Sequence, residues 1–298
     1  MAARIDAHAP LRNEIRRIAR DMLDAVDVQL RLAAEDHAAG LHHARKAIKR
    51  LRALTRLARA AAPGPLGLVE RHMRDAARAI AAPREATAAV ETLERFIADY
   101  PDRIVDCHLG EIRLALLNRR AAIEDDALDL ARAEAATRSR MARDVLAGAT
   151  FDSDLDDADV LAHGMAKSLS QWKKALARAE RDGEALHDLR KAVKAHAAQL
   201  DLLRDFAGDG FAGRREAVDA LGERLGELND IDVIRRKLRS GALGLPDDVP
   251  TRPFDRLMEK HARRLAQKAR RRARKLLDKA PARLRIRPAR AAAIRQAA

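Results

Sequence analysis

The sequence predicts an all-α protein, and three observations carry that expectation. Apolar residues recur at i, i+3, i+4 and i+7 through nearly the whole chain, the mark of amphipathic helices. Ala, Leu, Arg, Glu and Asp dominate, β-branched residues are sparse, and no stretch alternates with a period of two. Breakers fall at intervals, at Pro63-Gly64-Pro65, Pro83, Pro101, Gly148, Asp182-Gly183, Gly208 to Gly213, Gly241 to Pro250 and Pro281. The pieces between them suit helices of about two to seven turns joined by short loops.

Taken in order, the N-terminal segment MAARIDAHAPLRNEIRRIAR has no apolar h-region, so no signal peptide is expected. No run approaches the roughly 18 apolar residues of a membrane span, so no membrane association is expected. Cys107 is the only cysteine, which rules out an intramolecular disulfide and suits a reducing, cytoplasmic setting.

The segment from Leu41 forms the first informative helix. At 100° per residue from His42, the side chains of Arg45, Lys46, Lys49, Arg52 and Arg56 fall at about 300°, 40°, 340°, 280° and 320°. Ala44, Ile48, Leu51 and Ala58 fall between about 160° and 240°, on the opposite side. A basic stripe some four turns long thus runs in front of an apolar one.

Shifting the chain by 145 residues lays LHHARKAIKRLRALTRLA, from Leu41, over LHDLRKAVKAHAAQLDLL, from Leu186. Leu41, His42, Arg45, Lys46, Ala47 and Lys49 fall on identical residues, and the second stripe reads His187, Arg190, Lys191 and Lys194. The same shift lays APRE, ending at Glu85, over ELND, ending at Asp230; each histidine precedes its acid by 43 residues. Two homologous helical halves, 1–150 and 151–298, are therefore expected, joined across the acidic stretch FDSDLDDAD, Phe151 to Asp159. A third stripe, His261, Arg264, Lys268, Arg271, Lys275 and Lys279, runs along one face of the C-terminal helix. Ala262, Leu265, Ala266, Ala269, Ala273 and Leu276 make its apolar side.

Charge points to the partner. There are 59 Lys and Arg against 45 Asp and Glu, a net charge of +14, which attracts acidic ligands. One Trp, one Tyr and five Phe leave few platforms on which single-stranded bases could stack. Duplex nucleic acid, held by its phosphates alone, remains open. A charge run is ordinarily a solvated face, but such faces mix signs. No Asp or Glu occurs from His37 through Val69 or from Lys260 through Leu277. Like-charge neighbours cost roughly 0.2–0.5 kcal/mol per pair, so each helix carries a repulsion of about 1–2 kcal/mol that a bound anion would offset. Arg presents a planar fork to phosphate, Lys a point charge, and His a donor whose charge is tunable near neutrality.

These segments resemble the paired signatures of the conserved-histidine α-helical domain, or CHAD, family: a His, then basic residues three, seven, eight and ten positions on. His42, Arg45, Lys49, Arg50 and Arg52 match in the first half; His187, Arg190 and Lys194 match in the second, where Ala195 and Ala197 depart from the pattern. LGELNDIDVI, Leu225 to Ile234, resembles the family's second-half motif, and APREATAAVETL, Ala82 to Leu93, a decayed first-half version. The resemblance spans about 10–290. It implies paired helical bundles of pseudo-twofold symmetry whose basic faces line a shared cavity for inorganic polyphosphate, with association with polyphosphate granules. Some members are fused to a CYTH-type triphosphatase domain; none fits in this chain.

The polyphosphate-binding residues expected on these grounds are His42, Arg45, Lys46, Lys49, Arg50, Arg52, Arg56, Lys173, His187, Arg190, Lys191, Lys194, Arg264, Lys268, Arg271 and Lys275. General polyanion or nucleic-acid binding is the alternative. No catalytic residue, cofactor or metal is expected. Asp152, Asp154 and Asp156 start like a calcium loop, but Asp157 replaces the required Gly and His163 the bidentate Glu. The His42-His43 pair lacks further metal ligands at suitable spacing. Phosphate-loop, HExxH and GxSxG motifs are absent. His196 falls on an apolar side and reads as a satisfied core histidine, Trp172 and Tyr100 as isolated packing residues, and Cys107 as an ordinary helix residue. Glu85 and Asp230 are expected to cap helices or hold arginines, and Lys173 and Lys174 to extend the basic surface or be solvated.

Overall fold

The computed structural model describes residues 4–101, 109–122, 125–152, 154–183, 185–206, 209–246 and 248–280. Cys107, Gly208 and Pro281 lie outside them. Among the described residues there are ten α-helices and no strand. They are α1 (Leu11–Leu32), α2 (His37–Leu57), α3 (Pro63–Ala79), α4 (Ala81–Asp99), α5 (Leu109–Ala121), α6 (Asp125–Ala147), α7 (Asp157–Arg181), α8 (Leu186–Leu202), α9 (Asp209–Arg239) and α10 (Arg252–Asp278). Short 3-10 turns, Arg59–Ala61 and Arg204–Phe206, follow α2 and α8.

Pro63 and Pro83 stand at helix starts, as expected of breakers, and one expected breaker, Gly213, does not break. Pro63 occupies the first position of α3, where its missing N–H would have had no helical partner. Pro83 lies in the first turn of α4 for the same reason. Gly213 lies inside α9, which therefore extends over 31 residues, longer than expected. Gly241 and Gly244, with φ of 68° and 62°, do end it, adopting a left-handed backbone that glycine enters without a Cβ penalty.

Adding 145 to α1 and α2 gives 156–177 and 182–202, within a few residues of α7 and α8. The same shift takes α3 and α4 to 208–224 and 226–244, a stretch covered mostly by the single helix α9. The first half thus bends at Ile80 where the second runs straight on.

Each half begins with a helical hairpin. α1 meets α2 across a short turn closed at Gly40, where a Cβ would lie 2.5 Å from Ala33 N. Asp36 caps α2 by accepting from Ala39 N at 3.0 Å. In the acidic connection Asp152 accepts from Asp154 N at 2.9 Å and Asp156 caps α7, accepting from Ala158 and Asp159 N at 2.8 and 3.0 Å. This is helix-entry chemistry, as expected for the linker.

The halves share one core. Ala44, Ile48, Leu51 and Ala58 of the first hairpin and Leu189, Val193 and Leu200 of α8 are fully buried in a single cluster reaching from Ile5 to Leu276. Backbone bonds cross the junction: Ile5 N donates to Leu202 O at 2.9 Å, and Asp152 N to Ala61 O at 2.9 Å. Leu11 N donates to Asp157 Oδ2 at 3.0 Å. At Gly164 α7 lies so close to the end of α2 that a Cβ would fall 2.0 Å from Leu57 O.

Candidate functional site

The apolar stripe of α2 packs inward and turns the basic stripe outward, as its periodicity requires. His42, Lys46 and Lys49 are exposed, and Arg45, Arg50, Arg52 and Arg56 half-buried. The His42 ring meets His43 edge-on with centroids 5.3 Å apart. Arg45 donates to Ala77 O at 2.9 Å, near the end of α3.

The far end of this stripe is not uncompensated, contrary to the sequence expectation. Glu70 of α3, one residue beyond the acid-free window, accepts from Arg52 at 3.0 Å and Arg56 at 2.7 Å, with Arg59 4.0 Å away. Burial alone would raise the Glu70 pKa, but the hydrogen bonds and charges of Arg56 and Arg52 outweigh it and hold the carboxyl below its usual value. Burial, then the charge of Arg56, lowers the Arg52 pKa. Arg52 and Arg56 therefore bind α2 to α3 before any ligand arrives.

On α8, His187 is exposed and its Nδ1 lies 2.7 Å from Asn229 Oδ1 of α9. Burial, together with Lys191 and Arg190, lowers its pKa against the raising effect of the Asn229 bond. Lys191 pairs with Asp188 at 3.6 Å, and Lys194 with Glu223 of α9 at 2.7 Å. Gly222 and Gly226 of α9 face these side chains, with Lys194 Cγ 3.3 Å and Arg190 Nε 3.9 Å from the positions their Cβ atoms would take. Arg190 Nε is buried without a hydrogen-bond partner among the described residues.

Glu223 connects the two stripes. Its carboxyl is held below the usual range by the Lys194 hydrogen bond, and further by the charges of Lys194, Arg190 and Lys49. A lysine of α2 and two cations of α8 thus act on one carboxylate.

The α10 stripe is placed differently. Ala262, Ala266, Ala269, Ala273 and Leu276 are buried, while Arg264, Lys268, Arg271 and Lys275 occupy the opposite, exposed face without ion pairs among the described residues. His261, the first member of that stripe, turns inward: its Nδ1 meets the Tyr100 hydroxyl, and its Nε2 lies 3.1 Å from Glu227. Tyr100 is accordingly not isolated; it sits against Phe96 and His261. Lys173 is exposed beside buried Trp172.

His196 is fully buried against Trp172, with Nδ1 2.7 Å from Ser168 Oγ but Nε2 without a partner, so it is satisfied on one side only. Burial, and then the charge of Arg214, lowers its pKa to about 3, keeping the ring neutral. Glu85 holds Lys237 at 2.9 Å rather than an arginine, and Asp230 accepts from Asn229 Nδ2 at 3.1 Å inside α9; neither caps a helix.

A cavity of about 310 Å³ opens where α2, α3, α7 and α8 meet, lined by Arg56, Arg59, Glu70, Lys167, Ala195 and Gln199 among others. Sequence reasoning missed Glu70, Asn229, Glu223, Lys167 and Gln199. Asn229 was reachable, since it stands in the ELND segment; the rest carry no local pattern. Among the described residues no group of three or more His, Cys, Asp or Glu is assembled for a metal, and no helix is long and apolar enough to cross a membrane.

The family model of the CHAD domain matches residues 17–239, from within α1 to the end of α9, so the α10 stripe lies beyond it. No curated protein matches the chain. The crystal structure of the CHAD domain from the plant Ricinus communis is similar, with a TM-score of 0.63 at 21% identity over 95% of this chain and 96% of that one. PptA from Streptomyces chartreusis is similar with a TM-score of 0.62 at 12% identity, over 91% of this chain and 100% of that one. At these identities the likeness is one of fold.

Proposed function

Because the chain belongs to the CHAD domain family, we propose that it binds inorganic polyphosphate, without transforming it, between the basic faces of α2 and α8. The observation that carries this reading is the ion pair of Lys194 with Glu223 at 2.7 Å, on a carboxylate that also feels the charges of Arg190 on α8 and Lys49 on α2. Two stripes on separate helices address one region, with His42 and His187 exposed at matching positions. The correspondence of α1 and α2 with α7 and α8 supports two homologous halves that place these faces on either side of a shared cavity. A phosphate chain offers charge and oxygen acceptors at every unit, which Arg forks and Lys ammonium groups take up without bases or sugars to read.

Calorimetric titration with long-chain polyphosphate, with duplex DNA of matched charge as competitor at two salt concentrations, tests the reading. Tight binding that DNA fails to displace is the expected result. Equal competition that collapses at higher salt would make the chain a general polyanion or nucleic-acid binder instead. The outward stripe of α10, Arg264, Lys268, Arg271 and Lys275, favours that second reading, since a flat exposed row suits a duplex backbone better than a cavity does.

A further inference from the structure

We propose that the outward face of α10 is a second anion-binding surface, separate from the α2 and α8 faces, and that it takes the phosphate backbone of duplex nucleic acid. The inference goes beyond the polyphosphate reading and does not rest on it.

Six cations make the face. At 100° per residue from Arg264, the side chains of Lys260, Lys268, Arg271, Lys275 and Lys279 all fall within about 60° to either side. All six are exposed. At 1.5 Å per residue the row is about 28 Å long, with a cation roughly every 6 Å. It lies beyond residues 17–239, which the family model matches.

Packing leaves this row uncompensated, unlike the other two. On α2, Glu70 holds Arg52 and Arg56; on α8, Lys191 and Lys194 pair with Asp188 and Glu223. The acids at the start of α10 are engaged with α9 instead. Asp255 accepts from Arg235 at 3.0 Å and Arg239 at 2.8 Å, and Glu259 lies 3.6 Å from Arg235 and 2.8 Å from Arg263. Glu180 of the neighbouring α7 takes Arg274, which stands off the row. Asp278, the last residue of α10, is the first acid to share the arc. None of the six cations has an ion pair among the described residues. Each step along the row sets like charges three or four residues apart, a repulsion that a bound anion relieves.

The row is also held rigid. The pairs with α9 anchor its start, and Ala262, Ala266, Ala269 and Ala273 bury its inner side as α10 packs on α9 and α7. A duplex is stiff over about 50 nm and carries a charge about every 1.7 Å of its axis, so its phosphates arrive already aligned. The row spans about eight base pairs. A flexible phosphate chain would have to be straightened along an open surface, at an entropic cost. Unpaired bases need aromatic platforms, but Phe254 is buried and His261 is turned in to Tyr100 and Glu227. A bilayer surface takes up a helix by its apolar face, and α10 carries no exposed large apolar residue.

Fluorescence anisotropy of a labelled duplex of about twelve base pairs, long enough to cover the row, tests this on the full chain across a salt series. Three variants remove charge in different places. One is Lys268→Gln with Arg271→Gln and Lys275→Gln in the row. The second is Arg12→Gln with Arg20→Gln and Arg31→Gln, exposed arginines of α1 without ion pairs among the described residues. The third is Arg190→Gln with Lys194→Gln on α8. The row variant is expected to weaken duplex binding at least about tenfold at about 0.1 M salt and to lower the salt slope by about 2 to 3. The α1 and α8 variants should stay within about threefold of the unsubstituted protein. An equal loss in the α1 variant would overturn the site in favour of general charge. A loss confined to the α8 variant would move the duplex to the face proposed for polyphosphate and overturn it too. So would absence of duplex binding, including the case in which phosphatidylserine vesicles bind through the row. Polyphosphate affinity is read separately by its own calorimetric titration, so either reading can fail while the other stands.

Discussion

Arg56 and Glu70 pair at 2.7 Å between α2 and α3, and the residues 145 positions further on, Asp201 and Arg215, pair at 3.4 Å with the charges exchanged. The flanking cation is kept: Arg59 lies 4.0 Å from Glu70, and Arg204 lies 3.7 Å from Asp201. Reversing the sign while keeping the pair is what a helix-to-helix tie permits. Glu70→Gln should therefore destabilise the fold by about 1–2 kcal/mol, a value moderated by partial exposure of the arginines. The reversal made in the second half's own surroundings, Arg56→Glu and Glu70→Arg with Arg52→Ala to match Asp201, Arg215 and Ala197, should recover most of that loss in urea denaturation. No recovery would mean that the two pairs are unrelated.

Arg45 and Arg190 occupy matching positions with unlike surroundings. The bend at Ile80 leaves the Ala77 carbonyl near a helix end, where Arg45 takes it at 2.9 Å. Straight α9 consumes the equivalent carbonyls, and Arg190 Nε goes without a partner. Arg190→Ala should cost about tenfold in polyphosphate affinity and little stability. Arg45→Ala should show more of its effect in the melting temperature. Equal affinity losses from the two would sink this distinction.

Glu223 holds Lys194 at 2.7 Å and feels the charges of Arg190 and Lys49, so it would compete with an anion proposed to bind there. Its replacement by Gln should tighten polyphosphate binding by about two- to fivefold at low salt, the gain shrinking as salt screens it. Weaker binding would show instead that the carboxylate positions the lysines.

His187 titrates below its ordinary value because burial and the neighbouring cations disfavour its charged form. The unfolded chain then binds more protons than the folded one. The His187 contribution is complete above about pH 6.5 and is lost as pH falls toward the depressed folded value. The stability difference between the wild type and His187→Gln should shrink from about pH 7 to pH 5, with His196 cancelling between the two. Bound polyphosphate should move the His187 proton resonance titration upward, and an unchanged midpoint would place the ligand elsewhere.

Gly164→Ala should be the most damaging added methyl among the described glycines. Its Cβ would meet backbone, not a movable side chain, at 2.0 Å, so α7 and α2 must separate. A loss of about 3 kcal/mol or more is expected, read as a lowered urea midpoint; a near-wild-type midpoint would refute the close crossing.

Much of the architecture is legible in the sequence. The 3.6-residue period placed the buried faces of α2 and α8 correctly, down to Ala44, Ile48 and Leu51. Pro63 and Pro83 mark the starts of α3 and α4 as read, whereas Gly213 misled, because a glycine inside a long helix costs only about 1 kcal/mol and need not end it. The stripes were visible, but their charge balance was not. Counting acids within a window sees only one helix, and the acid that balances Arg52 and Arg56 sits on the next.

The sequence by itself determined the helices, their inward faces, the matching histidine segments and the surplus of positive charge, since these follow from periodicity and composition along one chain. Tertiary structure alone decided which cations stay available. Packing brought Glu70 to Arg52 and Arg56, turned His261 inward, sent the α10 stripe outward, and set Lys194 on Glu223. The reason is range. Helix formation is governed by neighbours three or four residues away, whereas the state of a charge is governed by whatever group packing places within a few ångströms.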